Sequence, residues 1–130
     1  MTLTLFSSRF TFFQFNDSTI QQFNDNMDKA EVLRKATEFS KRAQNYLTFN
    51  RAVLFGSQVY GKPREDSDFD IAFFVDKLNE DADYLSLLIT LNKLARQIDS
   101  RIEPHILYEE DETGFGDFVN KNGQEIILTN

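Results

Sequence analysis

Leu54 to Val75 read LFGSQVYGKPREDSDFDIAFFV, and this stretch organises the chain. Its apolar start ends at Gly56 and Ser57, a polar loop follows, and a second apolar run opens with Asp68 and Asp70. The pattern predicts strand, turn, loop and strand. Because successive side chains of a strand alternate between the two faces of a sheet, we expect both aspartates to project from the same face.

The two aspartates and the turn together predict a site for a metal ion and a phosphate. Neighbouring carboxylates repel each other unless a cation lies between them, and hard oxygen ligands suit Mg²⁺. Gly56 lets the backbone approach a ligand closely, and the Ser57 hydroxyl lies where a helical turn that attracts phosphate could begin. Asp-x-Asp alone or Gly-Ser alone is usually structural, so the combination carries the prediction.

This stretch resembles the signature of the DNA polymerase β-like nucleotidyltransferase superfamily in its minimal (MNT) form. The matching residues are Gly56, Ser57, Gly61, Ser67, Asp68 and Asp70. The resemblance implies transfer of a nucleoside monophosphate, AMP from ATP, to an acceptor hydroxyl. It implies two Mg²⁺ ions, held by the aspartates, and a nucleotide bound by Gly56, Ser57, Lys62, Arg64 and Ser67.

The chain departs from the family before the second glycine, where many relatives carry a small residue and then Arg or Lys. Here Val59 and Tyr60 precede Gly61. The Tyr60 ring could stack on a base or pack against the domain, and both alternatives stay open.

A third acidic residue is expected on a strand next to the one that carries the aspartates. Arg101 to Leu107 read RIEPHIL, and Glu103 is the acidic residue in this apolar run. A buried glutamate needs a partner. The resemblance implies that Glu103 completes the metal site and acts with Asp68 and Asp70, although relatives typically carry Asp there. The other interpretation is an exposed residue of an edge strand.

Pro104 and His105 follow Glu103 on the same predicted strand. Proline cannot donate to a strand ladder, so Pro104 indicates an edge strand or a bulge. His105 shares the face of Glu103 by the period of two. It could be a general base, but we favour a satisfied or surface histidine.

The fold class is predicted as α/β (α+β), a small mixed sheet of about three to five strands with helices mainly on one face. Asp28 is a plausible N-cap for the first helix, and the acidic run Glu109 to Glu112 is read as the start of the last helix. Strands are expected at 51–55, 68–75, 101–107 and 125–128, with a leucine-rich helix at 82–99 and a last helix ending at Asn122-Gly123.

Residues 1–26 differ in composition, being rich in Phe, Asn, Gln, Ser and Thr, with a near-repeat of Gln-Phe-Asn-Asp. They form either an extra hairpin or a weakly ordered extension, and we favour the extension. Residues 27–130 are assigned to the minimal nucleotidyltransferase domain.

Composition limits the functions that are open to this chain. Its 130 residues fit one domain. The net charge of -7 argues against direct binding of a nucleic-acid backbone. With no cysteine and no apolar run long enough to span a membrane, the chain is expected to be cytoplasmic.

The acceptor is not identified by the sequence. Minimal proteins of this type resemble antitoxins of MNT/HEPN pairs, which implies that a HEPN-like partner supplies a tyrosine hydroxyl. Two alternatives stay open: an interaction module that neutralises a HEPN-like subunit without catalysis, and a subunit of a small-molecule nucleotidyltransferase. Homo- or hetero-oligomers are both open.

Overall fold

In the computed structural model, the described residues are 17–56, 68–78 and 82–129, with side chains described from residue 29 onward. This part of the chain forms three helices and one four-stranded mixed sheet. The helices are α1 (Asp17–Ala43), α2 (Tyr84–Ile98) and α3 (Phe115–Asn122), and the strands are β1 (Arg51–Phe55), β2 (Phe69–Val75), β3 (Ile102–Tyr108) and β4 (Gln124–Ile126). The predicted α+β class is confirmed.

The chain divides after Glu31 into two compact units, and the second unit holds the sheet. The strand order is β3-β2-β1-β4, with β2 and β3 parallel and the other pairs antiparallel. Parallel strands need a crossover connection, and α2 supplies it between β2 and β3. β3 is an edge strand, which confirms the prediction from Pro104 and explains how a residue without an N–H fits there.

The two faces of β2 pack against different elements. Phe69, Ile71 and Phe73 are fully buried in the larger apolar cluster, which includes residues of α1 and α2. Ala72 and Phe74 face the smaller cluster, which includes Val119 of α3. The described helices therefore lie mainly on one face, as predicted, and among them only the short α3 covers the other.

The first helix starts earlier than predicted. It begins at Asp17 rather than at Asp28. Residues 17–27 contain neither Gly nor Pro, so no strong helix breaker interrupts the pattern there. Its buried residues include Val32 and Phe39, whereas Ala30 is exposed.

The last helix also starts later than predicted. Residues 109–113 form turns, and α3 begins at Phe115. The Asp111 carboxylate explains the difference, because it accepts hydrogen bonds from the Gly116 N–H at 2.9 Å and from the Thr113 hydroxyl at 2.7 Å. A short polar side chain that binds nearby backbone in this way favours a turn over a helix. No helix among the described residues is long and apolar enough to cross a lipid bilayer.

Asp99, at the C-terminal end of α2, joins three segments of the second unit. Its carboxylate accepts from Lys35 of α1 at 2.7 Å and from the Arg101 guanidinium at 2.8 Å, and only 9% of the side chain is exposed. The Arg101 hydrogen bonds, with those from Lys35, hold the pKa of Asp99 well below its usual range. The ion pairs thus stabilise the contact between α1 and the α2–β3 turn.

We predict that Asp99→Asn lowers the free energy of unfolding at pH 7 by about 1–3 kcal/mol, because two charge-assisted hydrogen bonds are lost. A depressed folded-state pKa stabilises the protein above the unfolded value of about 3.9, and this contribution disappears as the pH falls through the folded value. The two proteins should therefore converge in strong acid. Urea unfolding between pH 2 and 8 measures this, with Glu125→Gln on β4 as a control for charge. Equal stability at pH 7 would contradict the prediction.

Candidate active site

The parallel pairing of β2 and β3 brings two of the predicted acidic residues together. Asp70 pairs with Glu103 on one side, and with Phe55 of β1 on the other. Paired residues of neighbouring strands point to the same face of a sheet. The two carboxylates therefore lie side by side on the face that carries α3.

His105 joins this pair from the next position of β3 on the same face. Its Nε2 lies 2.9 Å from Oδ1 of Asp70, and the two side chains are 29% and 21% exposed. Ligand atoms of Asp70, Glu103 and His105 all lie within 4.8 Å of one another. We call these three residues the acidic–histidine cluster. The favoured expectation of a satisfied histidine is confirmed, and its partner is Asp70.

Gly56 closes the cluster from the end of β1. Its φ of +91° lies in the left-handed region, and a Cβ placed there would overlap Oδ2 of Asp70. Only glycine combines this backbone conformation with so close an approach. The turn predicted to meet a ligand therefore packs directly against the Asp70 carboxylate.

Two aromatic residues that the sequence analysis did not identify border the cluster. The Phe55 ring lies 5.2 Å from the His105 ring and 5.8 Å, edge to face, from the Phe115 ring. These contacts restrict the orientation of the imidazole. The alternation of β1 could have placed Phe55 on this face, but no sequence signal indicated that Phe115 of α3 would reach it.

Asp68 is not one of the three clustered residues, although its negative charge adds to the rise in the pKa of Glu103. It immediately precedes β2, is exposed, and lines an open polar pocket of about 300 Å³. Glu103 lines the same pocket, together with Arg96 of α2 and Arg101. Glu103 is therefore common to the pocket and to the acidic–histidine cluster. Of the two predicted aspartates, Asp68 lines the pocket and Asp70 belongs to the cluster.

The charges in this region favour a cation. Glu103 is exposed on the edge strand β3. The burial of its remaining surface, followed by the negative charge of Asp70, raises the pKa of Glu103, while His105 opposes the shift. Two carboxylate groups and an imidazole at this separation offer oxygen and nitrogen donors that fit a divalent metal ion. The other predicted residues of the nucleotide site, Ser57, Lys62, Arg64 and Ser67, lie outside the described residues, as does Tyr60.

Comparison with known proteins agrees with this geometry. The family model described as "Polymerase beta, Nucleotidyltransferase" matches residues 37–130. The chain belongs to the polymerase beta nucleotidyltransferase family. The family match covers the whole sheet and every residue of the acidic–histidine cluster.

A solved structure supports the same fold. A protein of Sulfolobus solfataricus, named a "putative nucleotidyltransferase", superposes with a TM-score of 0.55 at 20% sequence identity. The match covers 78% of this chain and 84% of that one. No curated protein sequence matches this chain significantly. The nucleotidyltransferase fold is thus shown by structure as well as by the family model.

We predict that Gly56→Ala destabilises the protein by roughly 1–3 kcal/mol and weakens divalent-ion binding, because the methyl group strains the backbone and displaces Asp70. Gly114→Ala is the matched control: its φ is +84°, but an added Cβ would meet no described atom within 4 Å. Denaturation and calorimetric titration with Mn²⁺ should show backbone strain in both variants and loss of ion binding only in Gly56→Ala. Unchanged binding in Gly56→Ala would contradict the role of this glycine.

Proposed function

We propose that this nucleotidyltransferase transfers AMP from ATP to a hydroxyl of a protein partner in a metal-dependent reaction. The observation that carries the proposal is the contact of the Asp70 carboxylate with both the Gly56 turn and the cluster formed with Glu103. A carboxylate pair held against a tight turn suits an ion that must also meet a triphosphate. The family membership supports the general transferase activity.

The proposed roles follow from these positions. Asp70 and Glu103, with Asp68 approaching from the pocket side, would hold two Mg²⁺ ions, which neutralise the triphosphate charge and favour departure of pyrophosphate. The Gly56 backbone and Ser57 would contact the phosphates. Lys62, Arg64 and Ser67 are proposed to assist there on the strength of the sequence alone.

Glu103 is proposed to face the acceptor and take its proton. It belongs to the cluster and, like Asp68, lines the open polar pocket, so a hydroxyl that enters the pocket can reach this carboxylate. A carboxylate at this position suits general-base catalysis. Positioning and charge neutralisation would supply most of the rate.

The acceptor is proposed to be a tyrosine of a HEPN-type partner, with the chain acting as its antitoxin in the cytoplasm. The open polar pocket beside Glu103 supports this proposal, because a side chain of a partner could enter it. One observation favours the non-catalytic alternative. The Asp70 carboxylate is already hydrogen-bonded to His105, as expected if the site binds a partner or nucleotide without catalysing transfer. A small-molecule acceptor, completed by another subunit, is the third case.

We predict that Asp70→Asn lowers transfer of label from α-labelled ATP to a co-purified HEPN-type protein by about 10²-fold or more, because charge neutralisation at the phosphates is lost. Asp76→Asn is the matched control, since Asp76 directly follows the opposite end of β2. It should transfer label as the wild type does.

The same experiment separates the alternatives. Label on the partner with the wild type alone supports adenylylation of a protein. Neutralisation of the partner by Asp70→Asn, without label in any sample, identifies the binding module. If the wild type binds no nucleotide in the presence of Mg²⁺, the proposed function is wrong.

A further inference from the structure

We propose that His105 is a direct ligand in the acidic–histidine cluster, and that this position prefers a divalent transition-metal ion such as Mn²⁺ or Zn²⁺ over Mg²⁺. The inference rests on the proposed function and concerns one of its two metal positions, the one beside His105, where it replaces Mg²⁺ by a transition-metal ion as the preferred ligand partner. It concerns a residue that the acidic signature of the sequence does not include.

The donor atoms of the acidic–histidine cluster are spaced as a metal ion requires. The donor atoms of Asp70, Glu103 and His105 lie within 4.8 Å of one another. An octahedral ion with ligands at 2.0–2.1 Å separates adjacent donors by about 3.0 Å. The 2.9 Å between His105 Nε2 and Asp70 Oδ1 is already this separation. An ion can therefore replace the hydrogen bond between them with little movement of either side chain.

The chemical type of the donor atoms favours a transition-metal ion. Mg²⁺ is held by oxygen ligands, whereas imidazole suits transition metals, whose affinity for nitrogen donors rises from Mn²⁺ towards Cu²⁺. One imidazole with two carboxylates is a mixed nitrogen and oxygen set. Such a set discriminates against Mg²⁺ in a way that Asp70 and Glu103 alone would not.

The residues around the imidazole hold it in one orientation. The Phe55 ring packs 5.2 Å from the His105 ring, and Phe55 is itself almost fully buried. The strand holds His105 on the same face as Glu103, with Nε2 directed at Asp70. The ligand is thus oriented before an ion arrives, which reduces the entropy lost on binding.

Because the chain contains a single histidine, its imidazole nitrogens can be observed without ambiguity. We predict that adding Zn²⁺ to ¹⁵N-labelled, tag-free protein shifts Nε2 to a metal-bound resonance and fixes the proton on Nδ1. The spectra are recorded with and without a non-hydrolysable ATP analogue. Ring resonances that stay unchanged at saturating Zn²⁺ under both conditions would overturn the inference.

A variant gives the second readout. His105→Gln keeps an amide N–H at the position of Nε2, so it can still donate to Asp70 but offers no imidazole nitrogen. Calorimetric titrations with Mn²⁺ and Mg²⁺ should show the ratio of their affinities falling by at least about tenfold in this variant. A purely structural histidine predicts an unchanged ratio, which would also overturn the inference.

These results are distinguishable from those for the proposed function. Transfer of AMP with Mg²⁺ and no effect of Zn²⁺ on His105 would leave the activity and remove the inference. Binding of Zn²⁺ by His105, with no transfer of AMP in any sample, would support the inference and reject the proposed function. The spectra of the wild type do not depend on how well His105→Gln folds.

Discussion

The parallel pairing of β2 with β3 is the constraint on which the site depends. It sets Asp70 beside Glu103 and, two pairs further along on the same face, brings His105 within hydrogen-bond distance of Asp70. The pairing is held in register by the opposite faces of the same strands, where Phe69 and Ile102 are buried. A slip of one residue would turn Asp70 into the apolar core, so the core specifies the position of the carboxylates.

The core also offsets the electrostatic cost of this arrangement. Two like charges at the separation found in the cluster repel by on the order of 3 kcal/mol at an effective dielectric constant of 20. Each fully buried Phe or Ile on the other face of β2 contributes about 1.5–3 kcal/mol, and there are three of them, Phe69, Ile71 and Phe73. Burial on this strand is at least of the same order as the repulsion, so it helps to hold the acidic pair in place.

The sequence predicted the elements better than it predicted their contacts. Alternation and turn residues were sufficient for β1, β2 and β3, and proline at position 104 placed β3 at an edge, because these signals are local. The contact between His105 and Asp70 depends on register across two strands that are joined through a whole helix, which a single sequence does not specify. The start of α3 depends on the hydrogen bond from the Gly116 N–H to the Asp111 carboxylate, which favours a turn over a helix. The acidic run at 109–112 is compatible with both a turn and a helix start, so the sequence did not separate them. The sequence also did not indicate that Asp68, which lies before the strand, lines a pocket together with Glu103.

The distribution of cations around the cluster is consistent with a site that accepts an ion. A guanidinium group beside Glu103 would neutralise the acidic pair permanently and compete with a metal. Arg101 is the nearest residue of this kind in sequence, but its guanidinium hydrogen-bonds to Asp99, which Lys35 also binds. Imidazole differs from guanidinium because it can give up its proton and present a lone pair to the same ion that the carboxylates attract. The Arg101 guanidinium is thus hydrogen-bonded to Asp99, and the basic side chain that lies beside Asp70 is one that can become a ligand.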